Sequence, residues 1–94
     1  PNNDGQVVRI NIPPLTEDRR KEYVKLAHNM IEEGRVAVRN ARRDGNDSLK
    51  KLNKDHELSD DNLKRALDDV QEMTDKNIKE LNVILENKEK EILH

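Results

Sequence analysis

Leu58-Ser59-Asp60-Asp61-Asn62-Leu63 is the stretch whose reading decides the fold. Ser59 carries the short hydroxyl side chain that caps a helix N-terminus. Asp60 and Asp61 put negative charge in the first turn, where the helix dipole favours it, and Leu58 and Leu63 have the spacing of a hydrophobic staple. A helix therefore starts in mid-chain. Downstream, Leu67, Val70, Thr74, Ile78, Leu81, Leu85 and Ile92 mark one face, flanked by Met73 and Ile84. Val70, Leu81 and Ile92 recur every eleven residues, a period that predicts a nearly straight helix. Upstream, Thr16 reads as a second N-cap with Glu17 and Asp18 behind it. From there Val24, Ala27, Ile31, Gly34, Val38, Ala41, Gly45, Ser48 and Leu52 alternate steps of three and four, which reads as a heptad seam widened by Tyr23, Met30 and Ala37. This first helix is expected to run to about Asp55, roughly 60 Å. Two long helices with a short connection should lie antiparallel.

Composition supports a thin, all-α fold. Of 94 residues 40% are charged and 32% hydrophobic, which is little material for a globular core. Tyr23 is the one aromatic residue, whereas packed sheets draw on many. Leu, Ile and Val at helical spacing argue against disorder. The absence of cysteine excludes a disulfide framework and suits the cytoplasm. The longest apolar runs, such as Val83-Ile84-Leu85, are far short of the roughly 20 residues that cross a bilayer. An isolated helix pair leaves one side of each apolar face wet, so the hairpin is expected to be part of a three-helix bundle, completed by a missing N-terminal helix or a second chain.

Residues 6–12, Gln-Val-Val-Arg-Ile-Asn-Ile, approach strand alternation with Val8, Ile10 and Ile12 on one face. A lone strand cannot satisfy its backbone, so this orphan β-strand should belong to a sheet whose other strands lie elsewhere. Pro13-Pro14 then forbids helix through residue 13 and, with Leu15, forms a plausible hinge. The expected organisation is residues 1–13 as the last strand of a small β domain, 14–15 as hinge and 16–94 as the helical part. The opening Pro1-Asn2-Asn3-Asp4-Gly5 lacks the features of a signal peptide and reads as the edge of something larger.

The net charge of −2 hides an asymmetry. Residues 1–50 hold ten Lys/Arg against eight Asp/Glu, and residues 51–94 hold eight against twelve. A polyanionic partner would meet the first helix. There Arg35, Arg39, Arg42 and Arg43 fall within about 100° of helical arc beside the core positions, with no acidic residue between Arg35 and Arg43. The guanidinium fork suits phosphate oxygens, and the absence of interleaved aromatics favours a duplex or folded RNA backbone over stacked single strands. Charge alone leaves the alternative of a merely solvated face open. Arg20 belongs to a second basic group, Arg19-Arg20-Lys21 and Lys25, which Glu17, Asp18 and Glu22 partly neutralise. The run Asp68, Asp69, Glu72 and Asp75 reads as solvated surface, since no His or Gly-containing loop supports a metal geometry there. His28, His56 and His94 stand too far apart for zinc. No nucleophile elbow, P-loop or dinucleotide fingerprint appears, so no catalytic residues, metal or cofactor are expected.

Taken in order, Val8-Arg9-Ile10-Asn11-Ile12-Pro13-Pro14-Leu15-Thr16-Glu17-Asp18-Arg19-Arg20, Arg35-Val36-Ala37-Val38-Arg39-Asn40-Ala41-Arg42-Arg43-Asp44 and Asp68-Asp69-Val70-Gln71 resemble the ribosome recycling factor family. The resemblance covers the whole chain and implies an L-shaped protein, a three-helix bundle hinged to a small β domain. This chain would hold the last β strand and the second and third bundle helices. It implies binding to large-subunit ribosomal RNA after termination and, with elongation factor G, dissociation of the bacterial ribosome into subunits without an active site of its own. By matching positions the RNA-contact role falls to Arg39 and Arg42, with Arg35 and Arg43 as neighbours and Arg20 near the hinge. The rival expectation is a structural coiled-coil module that binds partner proteins and no RNA.

Overall fold

A computed structural model describes residues 16–93, and they form two helices: α1, Glu17–Lys54, and α2, Asp60–Leu93. No strand occurs among the described residues. The orphan strand over 6–12, the Pro13-Pro14-Leu15 hinge and the β-domain remnant 1–13 lie outside them, as does His94. At 38 and 34 residues the helices are about 57 and 51 Å long, and they pack along each other as an antiparallel hairpin.

Both helix starts form as capping chemistry demands. Thr16 Oγ1 accepts from Arg19 N at 3.1 Å, and Ser59 Oγ accepts from Asn62 N at 3.2 Å. Leu58 and Leu63, the two ends of the expected staple, are both half-buried. Between the helices the chain turns in five residues. His56 takes φ of 63°, Glu57 N donates to Leu52 O at 2.9 Å and His56 N donates to Asn53 O at 3.0 Å, the paired bonds of a Schellman motif. Asn53 clamps the turn from inside: its Nδ2 donates to Leu58 O at 2.9 Å and to Asp60 Oδ1 at 2.7 Å.

The contact face of α1 differs from a heptad seam. Its half-buried positions are Arg20, Val24, Ala27, Ile31, Gly34, Arg35, Val38, Arg42, Gly45, Asn46, Leu49 and Asn53, so six of the nine expected seam positions turn inward, whereas Ala41, Ser48 and Leu52 are exposed. The steps repeat every eleven residues, as do those of α2 at Leu63, Leu67, Val70, Thr74, Ile78, Leu81, Leu85, Glu89 and Ile92. A heptad keeps one face inward only if the helices supercoil at 3.5 residues per turn. Eleven residues in three turns lie close to the relaxed helix, so nearly straight rods stay in contact and the face drifts off Ala41, Ser48 and Leu52.

The interior is one residue thick. Leu85 and Thr74, each 6% exposed, are the buried residues among those described, and Thr74 Oγ1 donates to Val70 O at 2.7 Å. Along one side of the hairpin Tyr23, Leu26, Met30, Ile84, Leu85 and Ile92 border an apolar groove open to water, with Met30 62% exposed and Ile84 50%. Gly34 faces this seam, where an added Cβ would lie 3.4 Å from Leu81 Cδ1; around Gly45 nothing lies within 4 Å.

Candidate functional site

The side of the hairpin opposite the groove is polar and carries the arginines. Three cross-helix contacts run along it. His28 Nε2 meets Glu89 Oε1 at 2.6 Å, Arg35 meets Asn82, and Arg42 meets Gln71. Arg35 donates from Nε at 3.0 Å and from Nη2 at 2.7 Å to the one Asn82 Oδ1, while Arg42 Nη1 donates to Gln71 Oε1 at 3.2 Å. Gln71 Nε2 in turn donates to Asp75 Oδ1 at 2.9 Å.

The four arginines of α1 therefore divide by environment. Arg35 and Arg42 are half-buried at the edge of the helix contact, and the Arg35 side chain keeps 23% of its surface. Arg39 and Arg43 stand out in water. Of the four arginines expected beside the core positions, only the second pair stands in solvent. A position within about 20° of the contact edge is close enough for a long side chain to lie across to the neighbouring helix. Arg35 to Arg43 occupy about 12 Å of helix axis, so the four charges form one patch. Arg20 is not part of it: fifteen residues earlier it lies about 22 Å away along the axis, half-buried, with its Nε lacking a partner among the described residues.

Three residues that matter to this patch were not singled out by sequence. Glu32 sits 3.6 Å from Nη1 of both Arg35 and Arg39. It lies one turn before the acid-free stretch, and at i,i+3 and i,i+7 it serves both arginines. A count that began a turn earlier would have found it. At 54% exposure such pairs are screened and weak, so Glu32 only partly offsets the patch. Asn82 and Gln71 carry no signal in a single sequence, because their role depends on which turn of α2 faces which turn of α1. Asp75, read as part of a solvated acidic run, receives a bond from Gln71, and no group of three or more His, Cys, Asp or Glu among the described residues is placed to hold a metal.

The arrangement can do one thing well. Closely spaced guanidinium groups on one helix, two of them held by α2, present paired donors to oxyanions. No helix of the described residues is long and apolar enough to cross a membrane.

Comparison with known proteins gives this patch its context. A family model described as "Ribosome recycling factor" matches residues 1–93. The ribosome-recycling factor of Halothermothrix orenii is 55% identical over 93 residues, which cover 99% of this chain and 50% of that protein. Those of Symbiobacterium thermophilum and Rhodopseudomonas palustris are each 56% identical with the same coverage. The chain spans about half the length of the curated relatives it matches. With the matched segment running through both helices and the arginine patch, the chain belongs to the ribosome recycling factor family.

Proposed function

We propose that this chain acts in ribosome recycling, binding large-subunit ribosomal RNA through the Arg35, Arg39, Arg42 and Arg43 face of α1. In this reading it works in the bacterial cytoplasm with elongation factor G to separate the subunits after termination. The observation that carries it is the patch itself. Among the described residues the four cations on one helix are opposed by one exposed carboxylate, Glu32, and the cross-helix partners of Arg35 and Arg42 are amides. Exposed Arg39 and Arg43 offer full forks to phosphate, while Arg35 and Arg42 are held at a fixed distance from the helix axis. Arg20 would make a separate contact further along.

The chain performs no chemistry of its own in this account. It supplies a stiff arm, and its partner factor supplies the energy. The apolar groove is then the seat of the bundle's first helix, carried by the other half of the protein.

Arg39→Glu with Arg42→Glu in the intact chain should weaken binding to ribosomes by at least tenfold and flatten its dependence on salt, because each phosphate left unneutralised takes about 0.9 off the log-log slope. Titration of ribosomes at two salt concentrations reads both quantities. Unchanged affinity and slope would remove RNA from the proposal. A second reading, a coiled-coil module that binds proteins alone, is favoured by the open groove. It requires Ala41→Glu to abolish partner binding while Arg42→Glu leaves it intact.

A further inference from the structure

The arginines that touch α2 meet neutral partners in an acidic helix. Ten of the 34 residues of α2 are Asp or Glu, yet the groups that accept from Arg35 and Arg42 are the side-chain amides of Asn82 and Gln71. These two stand eleven residues apart, one full repeat of the helix face, so both project toward α1 from equivalent places. Their orientation follows from the donors around them. Arginine has no acceptor, so an amide must turn its oxygen toward it. Gln71 is doubly fixed, since its Nε2 donates to Asp75, a carboxylate that can only accept.

We propose that Asn82 and Gln71 are positioning residues for the anion-binding face: they hold the Arg35 and Arg42 guanidinium groups in place while leaving their charge undiminished. The idea rests on the arginine patch being the RNA contact proposed above. A carboxylate in either place would make a shorter, charge-assisted pair and hold the arginine at least as firmly, but it would cancel the charge that a phosphate is to meet. An apolar residue would leave the charge and lose the orientation. The amide meets both requirements. Asp75 stands behind Gln71 and fixes the orientation of its amide, making no ion pair with Arg42 among the described residues.

The test uses isosteric changes in the intact chain, with purified large ribosomal subunits as the probe. Asn82→Asp and Gln71→Glu should each lower affinity on the order of fivefold at low salt and reduce the salt slope by up to about 0.9. Their urea midpoints should equal or exceed that of the parent. Asn87→Asp adds the same charge on an exposed turn of α2 facing away from α1 and should change affinity less than twofold. In an Arg35→Ala background the effect of Asn82→Asp should vanish, because the arginine through which it acts is gone. The proposal is overturned if Asn82→Asp weakens binding no more than Asn87→Asp, if its effect survives Arg35→Ala, or if either isosteric change lowers the urea midpoint. Should Arg39→Glu with Arg42→Glu leave binding unchanged, the RNA-contact reading falls and this proposal with it; should only Arg35→Ala and Arg42→Ala be silent, this proposal falls alone. If those arginine changes weaken binding and the amide changes do not, only the positioning role is removed.

Discussion

His56 ends α1 in the left-handed region, where a side chain with a Cβ crowds the following carbonyl. Glycine is the usual occupant of this place in a Schellman motif, and the two bonds from His56 N and Glu57 N close around it. His56→Gly is expected to raise stability by about 1 kcal/mol, read as a higher urea midpoint with unchanged slope. Asn53 is the other residue on which the turn depends, since its one amide group donates to both Leu58 O and Asp60 Oδ1. At this scale the patch is equally specific. Among the described residues Arg35 and Arg42 have cross-helix acceptors, whereas Arg39 has only the distant Glu32 carboxylate. That difference makes Arg39 the freest of the three to reorient toward a ligand.

At the scale of elements, each helix is long and uninterrupted, and its stability depends on its inner face. Gly45 lies in the interior of α1 with open space where a Cβ would go. Gly45→Ala should therefore stabilise α1 by about 1 kcal/mol, measurable as a rise in the thermal midpoint followed by circular dichroism. A decrease would mean that something outside the described residues packs against that glycine. Much of this architecture was legible in the sequence. Thr16 and Ser59 marked both helix starts by a local rule, and the eleven-residue recurrence of Val70, Leu81 and Ile92 gave the inner face of α2. The same recurrence in α1 was masked because small residues at Gly34, Ala41, Gly45 and Ser48 also satisfy a heptad. Only the position of α2 decides between the two patterns, and with it whether Ala41 or Arg42 turns inward. The arginine patch was visible as a run of one sign of charge. Its partners Asn82 and Gln71 were not, because cross-helix registry is set by the turn at residues 55–59 and leaves no trace in local spacing.

On the scale of the whole molecule, the hairpin has two unlike sides. One carries polar contacts from His28–Glu89 to Asn53–Asp60, and the other carries the open apolar groove. With Leu85 and Thr74 alone buried among the described residues, two helices leave Leu26, Met30, Met73 and Ile84 at least half exposed. If the groove seats a further helix in the intact protein, Met30→Lys buries an unpaired charge and should cost about 2–4 kcal/mol in urea unfolding. A cost within about 0.5 kcal/mol would place Met30 in water and remove the third helix from that side.

The five-residue turn between α1 and α2 also sets an order of events. Asn53 meets Asp60 across seven positions of chain, Arg42 meets Gln71 across 29, and Arg35 meets Asn82 across 47. Each rung shortens the loop that the next must close, so loop-closure entropy predicts pairing from the turn outward. Loosening runs the other way, from the open end at Tyr23 and Ile92. The patch occupies the middle of this gradient, and its two clamped arginines gain their orientation only after the turn has formed.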